Sequence, residues 1–107
     1  LYDVLDGMKQ IGPDALHTIE APPVGNCTIA QAREKLGDMI LIGNVQYDDL
    51  AHQSREEIEA QVRAAVAEGG EQFILSPTAG PYEDVISDKM ADNYITFIEA
   101  GIRYGGR

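Results

Sequence analysis

The sequence predicts an α/β fold in which three parallel strand–helix (βα) units follow one another along the chain. Three times a helical segment ends at a glycine, and a short apolar run begins within a few residues. A helical pattern resumes after each apolar run. Alternation of this kind implies a parallel sheet with right-handed crossovers, and we expect residues 1–107 to form a single domain.

The three predicted strands are the apolar runs at residues 15–19, 39–42 and 73–75. Their lack of polar alternation is typical of strands that are covered on both faces. Short apolar runs also occur in buried helices. The flanking glycines suit the left-handed position that ends a helix, and together with the long helical segments between the runs they favour strands.

Helix start signals define the helices around these strands. Residues 1–11 have a helical pattern, and Thr28 can cap a second helix. Residues 54–57 (Ser-Arg-Glu-Glu) form a capping box that opens a third helix, and Ser87 or Asp88 opens the last one. The apolar faces repeat at helical spacing: Ile29, Ala32 and Leu36; Ile58, Val62, Ala65 and Val66; and Met90, Tyr94, Phe97, Ile98 and Ile102.

Composition argues against several classes of function. The chain has 18 acidic and 8 basic residues and a net charge of −10, so its surface repels nucleic-acid phosphates. The lone Cys27 forms neither an internal disulfide nor a CxxC metal site, which fits a reducing, cytoplasmic compartment. No apolar run reaches the ~20 residues that span a bilayer, so no membrane partner is expected. Because a helical pattern already runs from Leu1, we expect a piece of a longer protein.

Loop lengths predict where the functional edge lies. The helix-to-strand turns at residues 12–14, 37–38 and 69–71 are short. The strand-to-helix loops at residues 21–27, 44–53 and 77–87 are longer than the roughly two to six residues of typical connections. Parallel α/β folds place their sites beyond the C-terminal ends of the strands. We therefore expect the site at these three loops.

Glu20 and Asn44 are candidates in the first two loops. Glu20 follows the first strand and is predicted to be a catalytic acid–base group or a metal ligand; the alternative is a solvated carboxylate at a strand end. Asn44 is predicted to bind substrate through its amide, or else to be a turn residue. Asp48 and Asp49 are acid–base candidates, although helix capping is the favoured interpretation.

The third loop has the most distinctive composition. Ser76, Thr78, Tyr82 and Glu83 offer polar groups that bind substrate, and Gly80 permits close approach of the backbone. The alternative is a rigid Pro/Gly connection in which Tyr82 has only a packing role.

The remaining histidines and the cysteine are interpreted as structural. His17 lies inside a predicted strand as a core or interface residue, and His52 precedes a helix at the surface. Cys27 is predicted to be a small buried or loop residue rather than a nucleophile, because no partner histidine is evident.

Four segments resemble the C-terminal third of the uroporphyrinogen decarboxylase superfamily. They are Leu16-His-Thr-Ile-Glu-Ala-Pro-Pro, Ile40-Leu-Ile-Gly-Asn-Val, Phe73-Ile-Leu-Ser-Pro and Asp92-Asn-Tyr-Ile-Thr-Phe-Ile-Glu-Ala-Gly. The resemblance implies a TIM (β/α)8 barrel, of which this chain is a C-terminal fragment with about the last three strands. It implies a parent lyase that acts on a carboxylated small molecule or tetrapyrrole. The alternative in the same superfamily is a corrinoid- or cobalamin-linked methyltransferase.

The resemblance also bears on individual residues. Glu20 matches the glutamate of the zinc site in cobalamin-independent methionine synthase, and Asn44 matches the Gly-Asn of the family. Ala79 stands where the methyltransferases have a cysteine and the decarboxylase has a histidine, so no metal or other cofactor is predicted firmly. A parent protein with zinc or a corrinoid partner is still compatible with Glu20.

Two further expectations follow from a cut barrel. The isolated fragment is expected to be inactive, since one part of a barrel cannot assemble the whole site; a non-catalytic binding or interaction fragment is the third alternative. Cut sheet edges and apolar flanks invite association, so we expect a homo-oligomer that covers them.

Overall fold

The computed structural model describes residues 1–80 and 85–105, which form an α/β domain around a three-stranded parallel sheet. A 3-10 turn at Tyr2–Val4 precedes the first α-helix. The elements are then α1 (Leu5–Ile11), β1 (Ala15–His17), α2 (Ile29–Leu36), β2 (Ile40–Val45), α3 (Tyr47–His52), α4 (Arg55–Gly69), β3 (Phe73–Pro77) and α5 (Asp88–Gly105). The prediction of three successive strand–helix units is confirmed.

The strands follow one another across the sheet in the order β1-β2-β3. In the register, Leu16 of β1 lies beside Leu41 of β2, and Asn44 of β2 lies beside Ser76 of β3. All three strands are parallel, so their C-terminal ends meet at one edge of the sheet.

Two predicted strand boundaries are wrong because pairing between strands extends the ladder. β2 continues to Val45, so Asn44 lies in the strand and not in a loop. β3 continues to Pro77, and beyond it the Thr78 amide donates a hydrogen bond to the Val45 carbonyl at 2.8 Å. Conversely, β1 ends at His17, two residues before the end of the predicted run at Ile19.

The predicted loop at residues 44–53 contains helix α3. Gln46 is its N-cap and makes no side-chain cap bond. Leu50 is fully buried in the helix. The buried amide of Asn93 in α5 donates to the carbonyls of Leu50 and Gln53 at 2.9 and 2.8 Å. Tertiary contacts of this kind, rather than capping, therefore stabilise α3.

Helix caps agree closely with the sequence. Thr28 and Ser54 each form a complete capping box, with Gln31 and Glu57 respectively. Helix α5 begins at Asp88, and the Ser87 hydroxyl accepts from the Met90 amide at 3.1 Å. The segment 1–11 is only partly α-helical, since its first turn is a 3-10 turn.

The helices cover only one face of the sheet. The strand residues that join the two apolar cores are Leu16, Leu41, Val45, Phe73 and Leu75. The alternate strand positions point to the other side. We call these the open face: Ala15, His17, Ile40, Ile42, Asn44, Ile74 and Ser76.

None of the open-face residues belongs to a core, and Ile74 is 52% exposed. The prediction that both faces of the strands are covered is therefore wrong for the residues that the structure describes. Among those residues, no helix is long and apolar enough to cross a membrane.

Candidate functional site

Asn44 and Ser76 are the two sequence candidates that the sheet brings together. They are register partners on adjacent strands, next to the C-terminal edge of the open face. The Ser76 hydroxyl donates to the Pro77 carbonyl at 2.8 Å, which leaves its oxygen as an acceptor. Among the described residues, none forms a hydrogen bond with the side-chain amide of Asn44. The pair thus offers an amide and a hydroxyl oxygen at one point of the edge.

Glu20 lies in the loop between β1 and α2. Its carbonyl accepts a hydrogen bond from the Cys27 amide at 3.4 Å, which closes the loop on itself. A Cβ on Gly25 would collide with the same carbonyl oxygen, so this close turn requires glycine. Glu20 is half-buried as a residue, and its carboxylate forms no hydrogen bond or salt bridge within residues 1–80 and 85–105.

The third loop is described only in part. Thr78 holds the ends of β2 and β3 together: its amide donates to Val45, and its hydroxyl accepts from the Tyr47 amide at 3.1 Å. These bonds give Thr78 a structural role at the start of α3. Tyr82 and Glu83, also predicted to bind substrate, lie outside the described residues.

A cleft of about 660 Å³ lies at this edge, between the Pro22–Pro23 turn, the end of β2, α3 and α4. Its volume falls in the roughly 300–1,000 Å³ range of small-molecule sites. Its lining includes small apolar residues, among them Ala60 and Ala64. Its polar lining includes Asn44, Gln46, Asp49, Gln53, Glu57 and Gln61.

Side-chain hydrogen bonds fix one wall of the cleft. The Gln61 amide donates to the Asp49 carboxylate at 3.0 Å and to the Gln53 side-chain oxygen at 2.5 Å. Asp49 and Asp48 occupy the first turn of α3, where the N-cap is Gln46, so the favoured prediction that they cap a helix is wrong. Asp49 serves instead as a hydrogen-bond acceptor that joins α3 to α4.

The cleft is acidic. Asp49, Glu57 and Glu68 line it, and no lysine or arginine is among its described lining residues. Hydrogen bonds to the backbone amide and side chain of Ser54 hold the pKa of Glu57 below its ordinary value, so this carboxylate stays charged near neutral pH. A negatively lined cleft favours neutral or cationic groups and disfavours anions.

The histidines and the cysteine lie apart from the cleft. His17 is exposed on the open face beside Ile42, not packed in a core as one interpretation had it. His52 is exposed at the end of α3, with its Nδ1 2.8 Å from the Asp48 carbonyl. Cys27 is fully buried, and this burial raises the pKa of its thiol, which does not suit a nucleophile.

Among the residues that the structure describes, no three His, Cys, Asp or Glu side chains are grouped so as to hold a metal ion. The polar groups that the sequence analysis missed are amides: Gln46, Gln53 and Gln61. Gln46 and Gln53 border α3 inside a loop that was already marked as unusually long, so loop length was the available signal. No signal in the sequence marks Gln61, because this residue lies inside a regular helix.

Comparisons with known proteins add no family assignment. No protein-family model matches the chain, and no curated protein matches it.

Proposed function

We propose that this chain is one side of a (β/α)8 barrel of the uroporphyrinogen decarboxylase type, which acts on a carboxylated small molecule at the C-terminal ends of its strands. The observation that supports this proposal is the one-sided sheet. Helices pack on one face, and the open face pairs apolar residues with a polar pair at the C-terminal edge.

A closed barrel accounts for this distribution better than an open sheet does. Doubly wound sheets carry helices on both faces. Barrels carry helices outside only, and layers of side chains from alternate strands fill the interior. His17, Ile42 and Ile74 lie side by side in the register and would all point into that interior. Asn44 and Ser76, two residues further along their strands, would lie at the mouth of the barrel.

The chemistry assigned to these residues is limited to what their groups can do. Decarboxylation breaks the bond between a carbon and its carboxylate, releases CO2 and leaves a carbon that takes up a proton. Asn44 and Ser76 would orient the substrate through hydrogen bonds. Glu20, in the loop after β1, would exchange the proton as acid–base group. The described open face has no lysine or arginine, so cationic groups for the carboxylates would come from other strands.

Release of CO2 from uroporphyrinogen by a protein that contains the whole barrel tests the proposal. We expect Asn44→Ala and Ser76→Ala each to lower kcat/KM by about tenfold or more, because each removes a positioning hydrogen bond. Gln10→Ala, which removes a side-chain amide from an exposed position of α1, is the control and should leave kcat/KM unchanged. Melting temperatures of all three variants separate lost activity from lost folding.

The other outcomes are equally informative. Methyl transfer from a methylated corrinoid, without CO2 release, would replace the lyase by the methyltransferase of the same superfamily. Turnover of neither substrate would reject both chemistries and favour a non-catalytic binding fragment. Association of chains through their uncovered surfaces stays a prediction, to be checked by light scattering.

A further inference from the structure

Helix α5 carries a second apolar stripe on the side that faces away from the core. The helix contacts α3 and α4, and its buried residues are Met90, Asn93, Phe97 and Ala100. Ile95, Ile98 and Ile102 lie on the other side and are 54%, 56% and 70% exposed. The prediction that Ile98 and Ile102 share the buried face with Phe97 is therefore wrong. A surface helix normally has one apolar stripe, whereas a helix that is apolar on both sides is usually covered.

The spacing of this stripe is that of a coiled-coil interface. The exposed residues Ala91, Ile95, Ile98, Ile102 and Gly105 follow one another at intervals of four, three, four and three residues. We call these five residues the α5 seam. Apolar residues in this alternation occupy positions a and d of a heptad repeat, which face a partner helix. The partner that fits the α5 seam is therefore another helix.

Two carboxylates flank the α5 seam along one side. Asp92 and Glu99 each directly follow a d residue, so they occupy successive e positions and are both exposed. Neither forms a hydrogen bond or salt bridge with any residue that the structure describes. Lys89 and Arg103 lie further round the helix from the seam, and the Arg103 guanidinium is 3.3 Å from the Glu59 carboxylate. The e positions of this seam are therefore negative.

These charges disfavour a second copy of the chain as the occupant. In an antiparallel helix pair each e position faces the e position of the partner, so Asp92 and Glu99 would meet carboxylates. In a parallel pair they would face the g positions, Tyr94 and Gly101. Both g residues are partly buried, and Gly101 lies against Leu75 of β3, so they are not available to a partner. The net charge of −10 adds to the repulsion between copies.

We propose that the α5 seam docks a basic amphipathic helix of another protein. Apolar residues of that helix pack on Ile95, Ile98 and Ile102, and its lysines or arginines lie opposite Asp92 and Glu99. Charges at these flanking positions determine which partner a heptad seam accepts. The surface is distinct from the open face and from the cleft. The proposal does not rest on the barrel, whose own next helix is the competing occupant.

The test compares two synthetic helical peptides that differ only in charge. Both carry leucine at positions a and d over about four heptads, and positions e and g are all lysine in one and all glutamate in the other. We expect the intact chain to bind the lysine peptide with a Kd of roughly 10 µM, since the seam is small for a stable interface. The glutamate peptide should bind at least about tenfold more weakly. Fluorescence anisotropy at physiological salt measures both affinities.

One pair of variants tests the apolar contact. Ile98→Gln, at the centre of the α5 seam, should weaken binding of the lysine peptide by about tenfold or more, because a buried apolar contact is lost. Ile11→Gln makes the same change at an exposed position of α1 and should leave the affinity unchanged. Both side chains are exposed in the chain alone, so both variants should keep its melting temperature.

A second pair of variants tests the charges. Asp92→Asn combined with Glu99→Gln should reduce the preference for the lysine peptide to about threefold or less, because the two e positions become neutral. Glu34→Gln combined with Glu68→Gln removes the same charge from exposed positions of α2 and α4. This control should keep the full preference.

Four results would overturn the proposal. Equal affinity for the two peptides would exclude a charged seam, and equal effects of the two charge variants would show attraction to the overall negative charge. Dimers of the chain that disappear in Ile98→Gln would identify a second copy as the occupant. Binding to this chain but not to a protein that contains the whole barrel would assign the seam to a helix of that barrel. None of these results depends on CO2 release, so this proposal and the proposed function fail separately.

Discussion

At the scale of single residues, Arg33 connects three parts of the chain. It lies in α2, and its guanidinium donates to four backbone carbonyls near the N-terminal edge of the sheet. The acceptors are Gly37 (2.7 Å), Met39 (2.6 Å), Gly69 (2.9 Å) and Gln72 (2.7 Å). One side chain thereby joins the end of α2, the start of β2 and the turn between α4 and β3. Arginine suits this task because its planar fork presents several donors at once.

Arg33→Met should lower the free energy of unfolding by about 2–4 kcal/mol, because several charge-assisted bonds are lost and carbonyls lose their donor. Arg33→Lys should recover only part of this loss, since an ammonium group cannot reach four carbonyls at once. Urea unfolding measures both changes. Arg55→Met, at an exposed position of α4, is the control and should change stability by no more than about 0.5 kcal/mol. An Arg33→Met effect as small as that of the control would contradict a stabilising role for these four hydrogen bonds.

At the scale of secondary-structure elements, local interactions define the start of some helices and tertiary interactions stabilise others. Helices α2 and α4 begin at capping boxes that involve residues three positions apart. Helix α3 begins without a side-chain cap and depends on Leu50 and on the Asn93 amide from α5. Capping therefore fixes where the longer helices begin, whereas packing determines whether the short one forms.

The capping box of α4 predicts a pH dependence. Folding lowers the pKa of Glu57 through its bonds with Ser54, so the folded state favours the charged form. This contribution is present above the pKa of the unfolded carboxyl and is lost as the pH falls through the lower, folded pKa. Glu57→Gln removes this titrating charge and should therefore lower the melting temperature at neutral pH, and the difference from the unchanged protein should shrink towards acid pH. Scanning calorimetry at several pH values checks this. A difference that grows on acidification would contradict the assigned cause.

At the scale of the whole molecule, apolar residues are distributed unevenly about the sheet. One side holds two apolar cores, in which Ile58 and Val62 of α4 are fully buried. The open face exposes half of Ile74, and α5 exposes more than half of Ile95, Ile98 and Ile102. Exposed apolar groups of this extent mark surfaces that other elements or chains can cover.

Two isoleucines test this unevenness. Ile58→Ala should lower the free energy of unfolding by about 2–5 kcal/mol, because it leaves a cavity in a packed core. Ile74→Ala, on the open face, should cost less than about 1 kcal/mol. Denaturant unfolding at low protein concentration compares them. Equal costs would show that the open face is covered in solution, contrary to the structure of the single chain.

The sequence predicted those features of the fold that depend on neighbours along the chain. The strand–helix alternation, the capping boxes at Thr28 and Ser54 and the start of α5 all follow from residues a few positions apart. Loop length also pointed to the C-terminal edge, where Asn44 and Ser76 are register partners. The roles of Glu20 and of the third loop stay predictions, and for Tyr82 and Glu83 the described residues offer no geometry.

Contacts between distant residues were decided only by the tertiary structure. Asn44 is a strand residue because β3 pairs with β2 beyond the apolar run. Helix α3 forms because Leu50 packs in a core and the Asn93 amide donates to two carbonyls of this segment. The cleft depends on Gln61 meeting Asp49, twelve residues earlier in the chain. Propensity and capping act over one helical turn and are visible in the sequence. Burial and hydrogen bonding between elements depend on how the helices pack on the sheet, and no local pattern encodes that.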